Sequence, residues 1–186
     1  ILNTTRLAVD MTTGTSPDGR ESLVVVAKGT FAIGNGRRLD SMLAEVQEPL
    51  AMTDIYAGDA GSSAPLYEMD FAPRKPRCDV LLTGRAYAPG GRPTTRVHVS
   101  LQVGTMRKAF DVVGDRVWRA GVTHISFTRP APFVVMPVAY SRAFGGVDRA
   151  SSDPSKHRWC LANHSGVGYH EDMSGEAING QPLPNT

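Results

Sequence analysis

Residues 76–119 decide the fold class of this chain, and they read PRCDVLLTGRAYAPGGRPTTRVHVSLQVGTMRKAFDVVGDRVWR. Apolar and polar side chains alternate in the middle of this stretch, with Val97 and Val99 on one face and His98 and Ser100 on the other. A period of two is typical of a strand with one buried face. Flanking apolar runs and the Pro-Gly and Gly-Asp dipeptides predict two more strands and the turns that end them. The stretch therefore predicts a meander of three strands and no particular activity.

The composition of the whole chain extends this prediction. Of its 186 residues, 41% are hydrophobic and 20% are charged, which is ordinary for a globular protein, and 19 Gly and 13 Pro are scattered between short apolar runs. We expect an all-β fold of two packed antiparallel sheets, a sandwich or a distorted barrel, in a single domain over residues 1–186. Alternation ends near residue 148, so residues 148–186 predict an irregular segment that wraps the sheets.

Other stretches give less specific predictions. β-branched or alternating residues predict strands at 2–9, 23–33, 122–128 and 133–140. Residues 12–21 are expected to form a loop or hairpin tip in which Pro17-Asp18-Gly19 is a turn. Leucines at helical spacing before Pro49 leave residues 39–47 open between a short helix and an irregular strand. Residues 54–70 are acidic and rich in Gly and Ser, which is typical of a long loop that binds a partner.

The net charge of +2 is unevenly distributed. Residues 1–70 carry five Lys/Arg and ten Asp/Glu, a net −5, whereas residues 71–119 carry ten Lys/Arg and three Asp, a net +7. Residues 120–186 carry five of each sign. This pattern predicts either two parts of the molecule that attract each other or a basic face that meets an acidic partner.

The sequence also bears on compartment and redox state. No apolar run approaches the roughly 18 residues of a membrane-spanning helix, so we expect no membrane partner. The chain begins at Ile1 and not at Met, which predicts a trimmed or processed product. Cys78 and Cys160 are expected to be buried and reduced, because a chain of this length does not need a disulfide.

Two alternative functions follow from residue types alone. One hypothesis is a zinc site or a cysteine-dependent enzyme. Its candidate residues form an H-x2-C-x3-H-x5-H run: His157, Cys160, His164 and His170. The run lacks a CxxC pair, and we expect no metal and no cofactor. The Arg-rich middle also contains Tyr87, Phe110 and Trp118, the raw material of a nucleic-acid stacking platform. The small net charge makes nucleic acid an unlikely partner.

Several short motifs follow one another in order along nearly the whole chain. They are Lys75-Pro76-x-x-Asp79-Val80-Leu81-Leu82-x-Gly84, Ala86-Tyr87-Ala88-Pro89-Gly90-Gly91, Gly114-Asp115-Arg116-x-Trp118, Tyr140-x-Arg142-Ala143-Phe144-Gly145-Gly146 and Leu183-Pro184-Asn185. In this order and combination, the motifs resemble a bacterial domain-of-unknown-function family encoded beside type VI secretion genes, whose members are called accessory or adaptor proteins.

The resemblance implies a non-enzymatic, cytoplasmic adaptor or chaperone that binds a toxic effector and helps to load it onto the secretion spike. Its implied partners are the effector, the spike protein VgrG and a PAAR-type tip protein. It implies no catalytic residues. Members of the family often continue past the Leu-Pro-Asn motif, so we expect the native chain to extend beyond Thr186.

The residues singled out fall into two groups. Charged residues near turns or on the polar sides of strands are the predicted partner-binding surface: Arg85, Arg92, Arg96, Arg107, Asp54 and Asp59. The motif residues are expected to serve the fold: Asp79, Gly84, Pro89, Gly90, Gly91, Gly114, Asp115, Arg116, Trp118, Tyr140, Arg142, Phe144, Gly145, Gly146, Pro184 and Asn185. Their three aromatic side chains are expected in the core. Two readings stay open for Arg116 and Arg142: internal ion pairs with Asp79 and Asp115, or contacts with another protein.

Overall fold

A computed structural model describes residues 2–33, 42–73, 78, 80–171 and 173–186 of the chain. It has two compact units, Ile1–Ile55 with Pro65–Val80 and Tyr56–Ala64 with Leu81–Thr186. Strands dominate, and nearly all strand pairs are antiparallel, so the predicted all-β class is confirmed. Within these ranges the strands form several two-stranded sheets, none of which closes into a barrel. The prediction of a single domain stays a prediction.

The strands are short except for two hairpins. They are β1 (Ala8–Thr15), β2 (Glu21–Lys28), β3 (Phe31–Ala32), β4 (Met42–Leu43), β5 (Ile55–Tyr56), β6 (Pro65–Tyr67), β7 (Gly84–Tyr87), β8 (Arg96–Val103), β9 (Met106–Val113), β10 (Trp118–Ala120), β11 (Ile125–Phe127), β12 (Val135–Val138), β13 (Phe144–Gly145), β14 (Val147–Asp148), β15 (Arg158–Trp159) and β16 (Val167–Gly168). The helical elements are α1 (Gly175–Ile178) and 3-10 turns at Pro89–Gly91, Tyr140–Arg142 and Pro154–Lys156. No helix in the described ranges has the length and apolarity needed to cross a bilayer.

The first unit is built on the hairpin of β1 and β2. Their register runs from Ala8 opposite Lys28 to Thr15 opposite Glu21, and the turn between them is closed by the Ser16 amide donating to the Arg20 carbonyl at 2.8 Å. Gly19 in this turn has a φ of 80°, which favours glycine. The predicted bounds were therefore wrong here. The first strand begins at Ala8, and threonines expected in a loop continue it because Thr favours extended backbone.

A partly buried ion pair anchors the end of β2. The Lys28 ammonium lies 2.9 Å from Asp70 Oδ2, and both side chains are about three-quarters buried. The same carboxylate oxygen accepts a hydrogen bond from the Ala51 amide at 2.7 Å, and Phe71 beside it is buried.

Residues 54–70 were predicted as one long loop. They contain the short strands β5 and β6 instead. Strand β4 lies in the middle of the ambiguous 39–47 region, whose residues 39–41 lie outside the described ranges.

The core of the second unit lies between two antiparallel pairs. Strand β7 pairs with β12, which places Ala86 opposite Met136, and β8 pairs with β9, which places Val97 opposite Val112. These residues pack together with the buried Phe133 in one apolar cluster. Side chains alternate along each strand, so the other face of each pair points away from the cluster.

The predicted meander is therefore correct for β8 and β9 and wrong for β7. The 3-10 turn at Pro89–Gly91, where Gly90 and Gly91 have φ angles of 62° and 67°, turns the chain away from β7. Thr94 then bonds Phe133 in both directions, at 3.0 and 2.8 Å, just before β12. Ala86 on β7 is small and faces the long Met136 side chain on β12, so the pair of β7 and β12 fills one side of the core. Strand β7 begins only at Gly84, and residues 80–83 before it form no strand in the described ranges.

The last residues of the chain lie along residues 113–118. The Trp118 amide donates to the Gln181 carbonyl, the Leu183 amide to Arg116 and the Val113 amide to Asn185, at 2.8 to 2.9 Å. The segment that follows residue 148 was expected to be irregular, and it is largely so, with α1 and the two-residue strands β15 and β16 inserted in it.

Candidate functional site

Three of the sequence motifs meet in one polar cluster. Arg142 Nη1 lies 2.9 Å from Asp115 Oδ1 and donates to Asn185 Oδ1 at 3.2 Å. Asn185 is buried, and its Nδ2 donates to Asp115 Oδ1 at 3.0 Å and to the Val113 carbonyl at 2.8 Å. The Asn185 amide also donates to the Arg142 carbonyl at 2.8 Å. The structure thus contains the internal ion pair between Arg142 and Asp115, and it ties both residues to the Leu-Pro-Asn motif.

Arg116 holds the same C-terminal segment from the other side of the chain. Its Nη2 donates to the Pro184 carbonyl at 2.8 Å, and its guanidinium lies 5.7 Å from the centre of the Phe127 ring. A cation above an aromatic face is attracted by the ring. The alternative partner of Arg116, Asp79, lies outside the described residues. The guanidinium groups of Arg116 and Arg142 therefore form hydrogen bonds with residues 184 and 185, respectively.

The Gly145-Gly146 turn crosses residues 163–168. Gly146 has a φ of 98°, and a Cβ there would lie 2.3 Å from the Gly166 carbonyl oxygen, so only glycine fits. The Gly146 amide donates to the Asn163 carbonyl at 2.8 Å, and Asn163 Nδ2 donates to the Tyr140 carbonyl at 2.8 Å. These hydrogen bonds hold the turn against residues 163–168, and the two segments form one wall of a cavity.

The motif aromatic residues are not core residues, contrary to expectation. Tyr140 and Phe144 expose 45% and 56% of their area, and Trp118 is only half-buried against the edge of Phe127. Tyr140 lies in a 3-10 turn and Phe144 in a two-residue strand. Phe144 has only an edge contact with Tyr169, at 6.4 Å between ring centres, which covers little of it.

The four predicted partner-binding arginines belong to different elements. Arg85 alternates with Ala86 on β7, whereas Arg96 alternates with Val97 on β8, and both neighbours point into the shared apolar cluster. Both arginines therefore point away from that core, one from the pair of β7 and β12 and the other from the pair of β8 and β9. Arg107 shares the outer face of β8 and β9, near the hairpin turn, and Arg92 follows the Pro89–Gly91 turn.

The charged neighbours of these residues are partly paired. Arg96 lies 3.5 Å from Asp111 Oδ2, and His98 Nδ1 lies 3.0 Å from Asp111 Oδ1. All three side chains are well exposed, so the ion pairs contribute little to stability. Asp54 accepts a hydrogen bond from the Met69 amide at 2.9 Å, and the Asp59 carbonyl accepts one from the Ser63 amide at 3.0 Å. Both acidic residues thus serve local turns as well as presenting charge.

The candidate zinc ligands make different contacts with the rest of the chain. His157 Nε2 lies 3.1 Å from the Ser151 carbonyl, and His164 packs edge-on against Trp159 at 5.8 Å. Cys160 is half-buried and Cys78 is exposed, so the expectation of two buried thiols was wrong. In the part of the chain that the structure describes, no three His, Cys, Asp or Glu residues are grouped to hold a metal ion.

The predicted aromatic platform is also divided. Phe110 packs against the apolar cluster inside the second unit. Tyr87 points outward from β7 with 63% of its area exposed, and Trp118 lies against Phe127. Bases stack on aromatic rings that share one accessible surface, and these three rings do not share one.

The hairpin of β1 and β2 has an exposed apolar face that the sequence-based predictions did not include. Met11 lies opposite Val25, and Leu23 follows on the same face; these side chains expose 48%, 58% and 61% of their area. Isolated exposed apolar residues are common, but a contiguous row on one sheet face is typical of an interaction surface. The signal available in the sequence was the unbroken run from Leu23 to Val26, which is apolar on both faces of the strand.

The pKa of one tyrosine near the Gly145-Gly146 turn is shifted by a neighbouring carboxylate. The Tyr169 hydroxyl donates to Glu171 Oε1 at 2.8 Å, and this hydrogen bond is the main reason that the pKa of Tyr169 is raised. A raised pKa in the folded state means that the bond stabilises the fold below pH of about 10, the ordinary tyrosine value, and that this contribution is lost as pH rises through the raised value.

We therefore expect Glu171→Gln to lower the pKa of Tyr169 toward its ordinary value. The pKa is measured by titrating the ring carbons of ¹³C-labelled tyrosine by NMR. Glu176→Gln, which removes an exposed carboxylate from α1, is the control and should leave the Tyr169 titration unchanged. A Tyr169 pKa that is the same in Glu171→Gln and in the unsubstituted chain contradicts the assignment.

The sequence also relates this chain to other proteins. Residues 18–186 match the profile of a family described as "Uncharacterized protein conserved in bacteria (DUF2169)". Searches among curated proteins and among solved structures gave no match. The matched range contains all five motifs, including the Arg142, Asp115 and Asn185 cluster. The chain therefore belongs to the DUF2169 family of proteins conserved in bacteria.

Proposed function

We propose that this chain is a non-enzymatic cytoplasmic adaptor that binds an effector and helps to load it onto the type VI secretion spike. VgrG and PAAR-type proteins are its further proposed partners. The order of the five motifs supports this proposal through their resemblance to adaptor proteins encoded beside type VI secretion genes. A protein of this kind needs a surface that binds another polypeptide.

The observation that carries the proposal is the exposed apolar face of the first hairpin. Val25 and Leu23 each expose more than half of their area in the middle of β2, and Met11 beside them exposes nearly half. Strands that are eight residues long and exposed in this way tend to associate with other chains, and natural proteins usually cover or charge such faces. Thr13 and Ala27 lie on this face beside the three apolar side chains. The charged residue Glu21 lies at one end of the face.

The same hairpin offers backbone groups to a partner. In the described ranges, β1 and β2 pair only with each other, so each has an outer edge along which an extended segment of another protein can add a strand. Backbone hydrogen bonds would then hold the partner, and the apolar face would select its side chains. A two-stranded hairpin is only marginally stable alone, so a third strand would also stabilise it.

Co-purification tests the proposal. The chain is expressed with the VgrG, PAAR and effector proteins encoded near its gene and is used to capture them. Leu23→Thr with Val25→Thr removes the apolar groups and keeps residues that favour strands. We expect this double variant to lose most of the capture, because it removes apolar area that the partner would bury, and burial of apolar surface drives most protein association.

The matched control is Val122→Thr, which makes the same kind of change at a fully exposed valine outside any strand. It should capture the partner as well as the unsubstituted chain does. The adaptor function is refuted if none of the neighbouring proteins is captured and effector secretion continues after deletion of the gene.

A further inference from the structure

A cavity of about 310 Å³ lies in the second unit, behind the Gly145-Gly146 turn. Its volume is at the lower end of the roughly 300–1,000 Å³ that is usual for sites of small ligands. Its walls include the side chains of Ser62, Arg149, Trp159, His164, Tyr169 and His170. Backbone from two glycine-containing segments, residues 145–146 and 166–168, completes them.

The charge of the cavity has one sign. Arg149 is exposed and has no ion pair or hydrogen bond to the described residues, and two histidines lie on the same walls. None of the described residues that line the cavity is acidic. The two acidic residues nearest in sequence are Asp148 and Glu171. Asp148 is buried and accepts hydrogen bonds from the Ala150 amide at 2.8 Å and the Glu171 amide at 2.7 Å. Glu171 accepts from the Tyr169 hydroxyl at 2.8 Å and lies 3.8 Å from Arg158.

The polar groups of the walls can donate hydrogen bonds. The Ser62 hydroxyl contacts the Asp59 carbonyl only weakly, at 3.3 Å, so a ligand can compete for it. His170 Nε2 is shielded from solvent and has no hydrogen-bond partner in the described chain, which is rare in folded proteins. A ligand with several acceptor oxygens would use both groups, and a guanidinium such as that of Arg149 binds such oxygens in pairs.

We propose that this cavity binds a compact oxyanion, a phosphate or a carboxylate group, with Arg149 as its principal charge partner. The Trp159 and His164 rings form an apolar wall that leaves room for a small organic part attached to the anion. The oxyanion is either a free small molecule or an acidic group presented by another polypeptide. This site lies apart from the β1 and β2 hairpin in sequence and does not depend on the adaptor function.

The test is an NMR titration of the purified chain with two probes, inorganic phosphate and N-acetyl-aspartate. The ring resonances of the five histidines report the position of binding. We expect saturable shifts for His164 and His170 at low-millimolar probe and no comparable shift for His98 and His124. Tighter binding of phosphate identifies a phosphorylated ligand, and tighter binding of the carboxylate identifies an acidic peptide group.

Two substitutions separate a site from general attraction of anions. Arg149→Gln should weaken binding of the better probe by about tenfold or more, because it removes a charge-assisted hydrogen bond. Arg129→Gln removes the same charge from an exposed arginine that follows β11 and should leave the affinity unchanged. The proposal is overturned if neither probe shifts His164 and His170, or if both substitutions reduce binding equally.

Discussion

Asn185→Ala is expected to lower the free energy of unfolding by about 3 kcal/mol, because three side-chain hydrogen bonds disappear from a buried position. The lost bonds link Asn185 to Arg142, Asp115 and the Val113 carbonyl. The carbonyl, left at the end of a core strand, is then unsatisfied in a place that water reaches poorly. A loss of this size is a large part of the roughly 5–15 kcal/mol that stabilises a typical domain.

Chemical denaturation with urea, followed by circular dichroism, measures this effect. Asn179→Ala is the matched control, since the exposed Asn179 side chain accepts one hydrogen bond, from the Ala120 amide at 3.1 Å. The control should cost no more than about 1 kcal/mol. Equal losses in the two variants would show that the cluster of Arg142, Asp115 and Asn185 does not hold the end of the chain in place.

Gly114→Ala should be at least as damaging, for a steric reason. A Cβ at this position would lie 1.8 Å from the Ala131 carbonyl oxygen, which is backbone and cannot rotate away. The Ala131 amide donates to the Asp115 carbonyl at 3.0 Å and holds the two segments together, while the Gly114 amide donates to the Thr95 carbonyl, also at 3.0 Å. We expect a loss of about 3 kcal/mol or more, since relieving the overlap breaks at least one of these bonds.

Gly84→Ala gives the matched comparison within the same set of motifs. A Cβ at Gly84 meets no atom within 4 Å, so this variant should stay within about 0.5 kcal/mol of the unsubstituted chain. Thermal and urea denaturation of both variants decide the matter. If Gly114→Ala is as stable as Gly84→Ala, close packing does not explain why glycine occupies position 114.

Local pattern was sufficient for the hairpin of β8 and β9 and insufficient for the partner of β7. The alternation of residues 97–103 correctly predicted β8, and Pro17-Asp18-Gly19 correctly predicted the turn after β1. The pairing of β7 with β12 was missed, because nothing within either strand specifies which neighbour it meets. That choice depends on Ala86 and Met136 filling the same core from opposite strands.

The candidate sites show the same division. The ion pair between Arg142 and Asp115 was among the possibilities read from the sequence, because opposite charges in nearby motifs are natural partners. That Arg85 and Arg96 flank one apolar cluster was not, since residues eleven positions apart on different strands meet the same core only through the packing of those strands. The cavity beside Arg149 and His170 was also missed, because its walls come from segments distant along the chain.

The sequence by itself determined the all-β class, the strongest hairpin, the family and the need for glycine in its turns. These properties depend on side-chain periodicity, turn chemistry and residue order, which are local. Only the tertiary structure decided that Asn185 joins Arg142 and Asp115, that the apolar face of β1 and β2 stays exposed, and which polar groups line the cavity. Those outcomes depend on which distant segments bury one another, and burial is a property of the folded chain as a whole.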